Sequence, residues 1–367
     1  MNVLMVIPTF APVVGGAERQ LEGLAPALVG LGHDVTVVTR RLHGAPAKDR
    51  SRTYFVRRLP AWGLRIGFRI SLTLYLMFSG RRYDVIHCHT LSGAAAICAL
   101  MGRLINRPVM LKVTRSGPGA QLGMWQGSGL RRFAFRNVLL SCARFVAISE
   151  DTQYELGRVG VPVDKLACIP NGVTIPPTTA APAGQPSIIY TGRLIPRKRV
   201  DLLLRAFAGA QTTRHIQLMV AGDGPMRDPL VSLAQELGIQ DQVVFTGELE
   251  HDQLRDQLAK AAVFVLPSAS EGMSNSLLEA MAHGLAVIVA DIEANREVVE
   301  HEVSGLLFED APSLSDHIDA VVGDAELRAR LGRNARDAVS RRQSFATIAE
   351  QYDEVYRSLT SGRGRAS

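Results

Sequence analysis

The feature that most constrains the fold of this 367-residue chain is an alternation of short apolar runs with helical segments, which occurs twice. In the first half, runs rich in β-branched residues are separated by stretches whose apolar positions recur at helical spacing. The strands predicted there are residues 3–7, 34–39, 84–87, 109–113 and 145–148. Strands that alternate with helices pair in parallel through right-handed crossovers. The first half therefore predicts a doubly wound parallel α/β domain.

The same alternation restarts after a segment rich in Pro, Thr, Ala and Gly. This segment predicts a linker over 171–187, which separates an N-terminal domain at 1–170 from a C-terminal domain at 188–344. The strands predicted for the second domain are residues 187–191, 217–221, 243–246, 262–266 and 286–290. The last amphipathic segment, 345–359, can be a surface helix or can pack across both domains.

Composition narrows the class of protein. Hydrophobic residues make up 47% of the chain and charged residues 21%, which favours a globular protein over a disordered one. The four cysteines fit neither a disulfide framework nor a zinc pattern, so we interpret them as small buried hydrophobic residues in a reducing compartment. The N-terminal apolar run is predicted to be a strand and not a signal peptide, and no run is long and apolar enough to span a membrane. We expect a cytoplasmic protein.

Charge is divided unevenly between the two halves. Residues 1–180 hold 22 basic and 9 acidic residues, and the excess is concentrated in 50–145, where 16 basic residues face Asp84 alone. Aromatic residues interleave with these arginines, which is typical of docking on an anionic bilayer or on an anionic lipid-linked acceptor. The alternative is a solvated basic face with core aromatics, and the absence of a nucleic-acid motif argues against nucleic acid. The aromatic residues are Trp62, Phe68, Tyr75, Phe78, Trp125, Phe133 and Phe135.

Glycine-rich and basic loops follow the first strand of each half. Gly15 and Gly16 separate a strand from a helix, where glycine lets the backbone approach a ligand and free N–H groups attract anions. Four cations between Arg193 and Arg199 crowd the corresponding loop of the second half, and a diphosphate is a natural partner for them. A simple strand-to-helix turn and a solvated basic turn are the structural alternatives.

The segment 267–284 carries the strongest signal. A strand ends there in a loop of small and polar residues that leads into a helix, and Glu271 and Glu279 lie eight positions apart. The residues between them can cap a helix whose N–H groups hold phosphate, and carboxylates accept hydrogen bonds from sugar hydroxyls. The pattern predicts a site for both ends of a sugar nucleotide. A helix cap with a carboxylate favoured by the helix dipole is the alternative.

Together these motifs resemble the retaining GT-B glycosyltransferases of family 4. The resemblance rests on the E-x7-E element of Glu271 and Glu279 and on the loops at 15–19, 171–173, 192–199 and 221–225, which occur in the expected order. It covers nearly the whole chain. It implies a GT-B fold, in which two Rossmann-like doubly wound parallel-sheet domains face each other across a cleft. The segment at about 345–360 is similar to the GT-B helix that packs back on the N-terminal domain.

The resemblance implies roles for individual donor-site residues. Arg193 and Lys198 would grip the donor diphosphate and stabilise the leaving group in place of a metal, Glu271 would contact the donor sugar, and Glu279 would bind the ribose. The implied catalytic residues are therefore Arg193, Lys198 and Glu271. The implied donor-binding residues are Gly16, Arg193, Lys198, Gly224, Glu248, Leu249, Glu271, Gly272, Met273, Ser274, Asn275, Leu278 and Glu279.

The acceptor side departs from the family pattern. Many relatives carry a histidine after the strand that corresponds to 109–113, and this chain has none there. Either other side chains make that contact or the contact is absent. His89, at the end of the preceding strand, can face the cleft or be structural. The predicted acceptor-side residues are His89, Lys112, Thr114, Arg115 and Ser116.

The resemblance thus implies an enzyme that moves a sugar from a UDP- or GDP-sugar to an acceptor hydroxyl with retention, and we expect it to act in the assembly of cell-surface polysaccharide or glycolipid. The expected partners are the nucleotide sugar and a saccharide or lipid-linked acceptor, with neither metal nor other cofactor. We also expect peripheral contact with the inner face of the cell membrane. Two alternatives stay open. One is a nucleotide-sugar 2-epimerase, which would need acidic residues where they are scarce; the other is a binding subunit without turnover.

Overall fold

Two α/β units make up the chain in the computed structural model, which describes residues 1–12, 15–62, 65–114, 130–180 and 185–361. Side chains at 65 and 130–134 lie outside this description. The first unit comprises Met1–Gly172 together with the helix that begins at Phe345, and the second comprises Val173–Ser344. Each unit is built on a mainly or wholly parallel sheet, which confirms the predicted α/β class with two parallel-sheet domains.

The first sheet has eight strands in the order β3-β4-β2-β1-β5-β6-β7-β8. All its pairings are parallel except that of β3 with β4. The central strand is buried on both faces because helices cover both sides of the sheet. Its strands are β1 (Asn2–Val6), β2 (Asp34–Arg40), β3 (Lys48–Asp49), β4 (Phe55–Leu59), β5 (Val85–Cys88), β6 (Val109–Val113), β7 (Arg144–Ala147) and β8 (Leu166–Cys168).

Helices form a layer on each face of this sheet. One face packs on the first and last helices of the unit, and the other packs on the helices between them. The helices are α1 (Gly16–Gly30), α2 (Arg65–Ser79), α3 (Gly93–Leu104), α4 (Leu130–Leu140), α5 (Glu150–Arg158) and α13 (Phe345–Ser361).

The last helix, α13, is integral to the first unit. Its buried residues join the core around β1 and α1, and His33 lies 3.0 Å from Asp353. The Phe345 ring packs directly on Gly23 and Gly172, where a Cβ atom would overlap it. The Gln20 amide exchanges two 2.8 Å hydrogen bonds with the backbone of Gly172. Glycine at 172 is thus needed for close packing.

The second sheet has six parallel strands in the order β11-β10-β9-β12-β13-β14. Its strands are β9 (Ile188–Thr191), β10 (Leu218–Ala221), β11 (Val243–Gly247), β12 (Val263–Leu266), β13 (Ala286–Ala290) and β14 (Leu306–Phe308). Its helices, which again divide between the two faces, are α6 (Val200–Gly209), α7 (Arg227–Glu236), α8 (His251–Lys260), α9 (Asn275–Ala282), α10 (Glu293–Arg296), α11 (Ala311–Gly323) and α12 (Ala325–Arg342).

The segment predicted as a linker is held by the second unit over most of its described length. Val173 is buried and forms a bridge with Ser344, and the Ala180 amide donates to the His283 carbonyl at 2.7 Å. The Arg336 guanidinium donates to the carbonyl of Pro176. Prolines remove backbone donors from this segment, but the contacts at Val173, Pro176 and Ala180 hold it against the second unit.

No helix within the described residues is long and apolar enough to cross a bilayer.

Candidate functional site

Each sheet has one point at which the strand order reverses, between β1 and β5 in the first unit and between β9 and β12 in the second. Loops that leave the carboxyl ends of two such strands diverge to opposite sides and open a crevice, where α/β proteins bind ligands. The loops after β9 and β12 contain the basic segment and the Glu271 segment. Of the predicted donor residues, Arg193, Lys198 and Glu271 therefore lie in loops at the switch point of the second sheet.

The basic loop after β9 is held close to the loop after β10. The Gly192 amide donates to the Ala221 carbonyl at 3.0 Å, and the Leu194 amide donates to the Asp223 carbonyl at 2.9 Å. Gly222 and Gly224 have φ values of +150° and +155°, and a Cβ atom on either would overlap a carbonyl of the basic loop. The GDG turn thus supports the basic loop.

Glu271 lies at the centre of this group of loops. Its carboxylate accepts a hydrogen bond from Lys198 Nζ, and its Oε2 lies 3.4 Å from Arg197 Nη1. The Glu271 side chain is only 8% exposed and that of Lys198 only 12%. Arg197 also donates to the Ser270 carbonyl and accepts from the Ala269 amide at 3.0 Å through its own carbonyl. A largely buried carboxylate and two cations are thus fixed side by side.

Local backbone geometry places these cations. A short 3-10 turn, Pro196–Lys198, follows the loop, and Arg199 adopts a left-handed conformation before α6 begins. The turn directs Arg197 and Lys198 toward the β12 loop. Arg193 is exposed, and no ion pair to it is found among the described residues. The structure therefore brings Glu271 together with Lys198, another of the predicted donor-site residues, and with Arg197, whose contact the sequence did not single out.

The helix that follows Glu271 begins with a side-chain cap. Ser274 is the N-cap residue of α9, and its Oγ accepts from the Leu277 amide at 3.4 Å. The start of α9, four residues after Glu271, thus presents backbone N–H groups, which are suited to bind an anion. Glu279 lies one turn further along and is partly buried, while Leu278 faces the core.

The other predicted donor residues occupy the same edge or the first unit. Gly272, Met273 and Asn275 are partly buried around the α9 cap, with Gly224 in the supporting turn. Glu248 and Leu249 follow β11, with Glu248 exposed and Leu249 packed on the core. Gly16 is the first residue of α1, in the first unit. Their assigned roles stay predictions.

Two further polar side chains lie at this edge of the sheet, and the sequence motifs assigned no role to them. Thr191 ends β9 and Ser268 follows β12, and both residues are buried. Their hydroxyls have no hydrogen-bond partner among the described residues. Polar residues at the carboxyl ends of switch-point strands are the sequence signal that could have identified them.

In the first unit, two of the predicted acceptor-side residues come together beneath α13. His89 and Lys112 are each 1% exposed, and the His89 ring stacks on His87 with centroids 4.1 Å apart. Lys112 Nζ lies 5.8 Å from the ring centroid of Tyr352. Thr114 follows β6 and is partly buried, whereas Arg115 and Ser116 lie outside the described residues.

Burial dominates the electrostatics of this cluster. It lowers the pKa of Lys112 to about 7 and, with the nearby Lys112 charge, lowers that of His89 to about 3. It also depresses the pKa of His87, whose Nδ1 lies 2.8 Å from the Tyr356 hydroxyl. No hydrogen bond or ion pair to the Lys112 amine is found within the described residues. The fold thus lowers the pKa of the Lys112 amine so far that a large part of it is uncharged at about pH 7.

Replacing Lys112 with methionine is expected to stabilise the chain in a pH-dependent way. The pKa of Lys112 is about 7 in the native state and about 10.5 in the unfolded state. Between pH 7 and pH 10.5 the unfolded state therefore binds one proton more than the native state does. The penalty is complete below pH 7 and disappears as the pH approaches 10.5. Urea unfolding should show a gain on the order of 3 kcal/mol at about pH 6 and little gain at about pH 10.

The exposed Lys260 of α8, replaced with methionine, is the matched control for this measurement. Its free energy of unfolding should follow that of the unmodified chain at every pH. A Lys112→Met gain that is the same at both pH values would contradict a buried neutral amine.

The basic and aromatic residues of 50–145 divide between core and surface. Phe68 and Tyr75 are core residues, and Arg58 is buried, 3.6 Å from Asp49, so these three do not belong to a basic surface. Trp62 and Phe78 are 59% and 76% exposed. Phe135 packs on the core. Trp125 and the side chains of Arg131, Arg132 and Phe133 lie outside the description.

No group of three or more His, Cys, Asp or Glu side chains that could hold a metal ion is found in the described part of the chain. Cys88, Cys98 and Cys142 are buried, as predicted, but the prediction is wrong for Cys168, which is exposed because it ends the edge strand β8. Burial raises the pKa of the Cys142 thiol, so this thiol stays protonated.

Comparison with known proteins agrees with the class that the fold and the switch-point site define. Residues 14–175 match the family model "Glycosyltransferase Family 4", and residues 174–338 match "Glycosyl transferases group 1". The chain is 25% identical to the GDP-mannose-dependent alpha-(1-6)-phosphatidylinositol monomannoside mannosyltransferase of Mycobacterium tuberculosis H37Rv, over 99% of this chain and 100% of that relative.

Solved structures show the same fold. The sucrose-phosphate synthase of Thermosynechococcus elongatus superposes with a TM-score of 0.81 at 22% identity, covering 98% of this chain and 99% of the other. HepE of Anabaena, solved in complex with UDP-glucose, superposes with a TM-score of 0.78 at 20% identity over 98% and 100%. The chain belongs to the family 4 glycosyltransferases, which have the GT-B fold. It is thus an enzyme of glycosyl transfer.

Proposed function

We propose that this glycosyltransferase moves a hexose or a similar sugar from a UDP- or GDP-sugar to an acceptor hydroxyl, with retention of the anomeric configuration. The observation that carries the proposal is the contact of Glu271 with Lys198 and Arg197, in the loop that leads into the capped start of α9. A carboxylate offers acceptors for sugar hydroxyls, and adjacent cations and helix N–H groups offer positive charge for a diphosphate. One switch point thus has groups for both parts of the donor.

In this proposal the chain's own cations stabilise the leaving group. As the bond from the anomeric carbon to the diphosphate oxygen breaks, its electron pair passes to the phosphate, and Lys198 and Arg193 stabilise the growing charge without a metal. Arg193 is exposed and free to turn toward the phosphate, whereas Lys198 is already held at the site. The acceptor oxygen bonds to the same face of the carbon, and its proton passes to the departing phosphate oxygen.

The proposal includes both UDP- and GDP-sugars because the similar proteins differ in the nucleotide that their names give. The mycobacterial relative is GDP-mannose-dependent by name, and HepE was solved with UDP-glucose. Neither the exposed Glu248 nor the half-buried Leu249, the two residues assigned to the base, favours one base over the other.

The proposed acceptor is a saccharide or a lipid-linked saccharide, used in assembling cell-surface polysaccharide or glycolipid at the inner face of the cell membrane. The excess of arginine in 50–145 supports an acceptor or surface that is anionic. The mycobacterial relative is named for a phosphatidylinositol monomannoside substrate, which is such an acceptor.

A binding screen of the purified chain tests the donor. We expect one UDP- or GDP-sugar to bind saturably among UDP-glucose, UDP-galactose, UDP-N-acetylglucosamine, GDP-mannose and ADP-glucose. That donor should be hydrolysed slowly and transferred when acceptors are added, with nucleoside diphosphate measured by anion-exchange chromatography. Proton NMR of the product should show the anomeric configuration of the donor, and EDTA should leave the rate unchanged.

Three other outcomes would overturn parts of this proposal. Inversion at C2 of the donor sugar with no acceptor present would identify an epimerase. Tight donor binding without turnover on any acceptor would identify a binding subunit. An inverted product would reject same-face attack while leaving the donor site in place.

A further inference from the structure

A continuous apolar surface lies on α2 and α3. Of thirteen exposed large apolar side chains among the described residues, eight lie between residues 62 and 104. Five recur on one face of α2, opposite the face that packs on the core through Leu72 and Leu76. The members of this surface, here called the α2–α3 face, are Trp62, Ile66, Ile70, Leu74, Met77, Phe78, Leu100 and Leu104.

The two helices of this face run side by side in the same direction. Gly93, at the start of α3, packs against the Arg69 guanidinium, and Gly80, just after α2, packs against the Ile105 side chain. Leu100 and Leu104 therefore lie toward the same end as Met77 and Phe78. The 15 residues of α2 span about 22 Å, so the apolar surface is long enough for a sizeable contact.

The rim of the face is cationic. Arg69, Arg81, Arg82 and Arg103 are exposed around it. Asp84 is the one acid between residues 65 and 107; its Oδ2 accepts from the Asn2 amide at 2.8 Å, and its Oδ1 lies 3.9 Å from Arg107. The positive charge of the rim is therefore not balanced within this segment.

We propose that the α2–α3 face docks on an anionic lipid bilayer, with α2 lying in the plane of the interface. Apolar side chains in the acyl boundary and arginines at the headgroups are the two contributions that hold amphipathic helices on membranes. A symmetric contact between two copies would bring the same arginines together, so the charge favours lipid over self-association. This inference specifies the surface behind the membrane contact in the proposed function.

Flotation of the full chain with vesicles tests the proposal independently of sugar transfer. Binding to phosphatidylcholine vesicles that contain phosphatidylglycerol should greatly exceed binding to phosphatidylcholine alone. The Arg81→Ser/Arg82→Ser double variant should bind anionic vesicles about thirtyfold more weakly, since each arginine contributes about fivefold. The Ile70→Ser/Phe78→Ser double variant should lose at least about tenfold.

The matched control is Val163→Ser/Val303→Ser, since these two side chains outside the face are 80% and 42% exposed, close to the 76% and 46% of Phe78 and Ile70. It should bind as the unmodified chain does, and circular dichroism melting should show all variants folded. Trp62 fluorescence, read in a Trp125→Phe background, should shift to the blue on anionic vesicles only. Equal binding to both vesicles, or equal binding by face and control variants, would overturn the proposal. So would a loss of self-association in the face variants with vesicle binding unchanged.

Discussion

Replacing Lys198 with methionine is expected to lower kcat for sugar transfer by about a hundredfold to a thousandfold, the range for losing one preorganised charge partner at a reacting oxygen. Lys198 is 12% exposed and contacts Glu271, so it occupies one position instead of sampling many. Methionine keeps most of the length of the side chain and removes its charge and its hydrogen-bond donors. Nucleoside diphosphate affinity, measured by calorimetry, should fall with kcat because both depend on the diphosphate.

The neighbouring Arg199 provides the matched control. It is 44% exposed, pairs with Asp201 at 3.5 Å and lies in the same loop. Arg199→Met should retain the rate of sugar transfer within about threefold. An equal loss of rate in both variants would indicate that the summed positive charge of the basic loop matters and not the position of Lys198. Melting temperatures would show whether Lys198→Met also loosens Glu271, which keeps Arg197 as a partner.

Replacing Glu271 with glutamine is expected to lower transfer at least about a hundredfold while leaving nucleoside diphosphate affinity nearly unchanged. The substitution preserves shape but removes the charge that accepts strong hydrogen bonds from sugar hydroxyls. The Glu271 variant should lose affinity for the sugar nucleotide but not for the nucleoside diphosphate. This pattern distinguishes the role of Glu271 from that of Lys198. The two affinities can be measured by calorimetry on the same sample.

A structural role for Glu271 makes a different prediction. If its carboxylate served only to hold Lys198 in place, the Glu271→Gln/Lys198→Met double variant would be as active as the Lys198→Met variant, because Glu271 would then act only through Lys198. A separate role in the sugar site predicts that the double variant is less active than either single one. The double-mutant cycle, with kcat and stability measured together, separates the two.

The sequence predicted the strands near the centre of both sheets well, because strands buried on two faces form unbroken apolar runs. It did not assign β4, whose Arg57 and Arg58 interrupt such a run at the sheet's periphery. Short strands with few apolar residues, such as β3, carry too little pattern to be predicted. The fold class thus followed from the central strands, and the edges depended on tertiary contacts.

The sequence predicted which loops form the site, but it did not predict which side chains contact each other there. Spacing placed Glu271 and the four cations at the carboxyl edge of one sheet. It did not indicate that Arg197 would contact the carboxylate while Arg193 stays exposed, because the 3-10 turn and the left-handed Arg199 decide those directions. Similarly, β6 is buried on both faces, so alternation alone could not place Lys112 beneath α13.

The position of α13 has a consequence for synthesis. The second unit is a contiguous stretch, Val173–Ser344, and can complete its own core as it leaves the ribosome. The first unit is made earlier but lacks the cover over His87, Lys112 and its central strands until Phe345–Ser361 emerges. We therefore expect the first unit to complete its core no earlier than the second, in contrast to the usual N-terminal-first order of domain folding. Throughout translation of the second unit, the nascent first unit has to keep an unfinished apolar sheet face from aggregating.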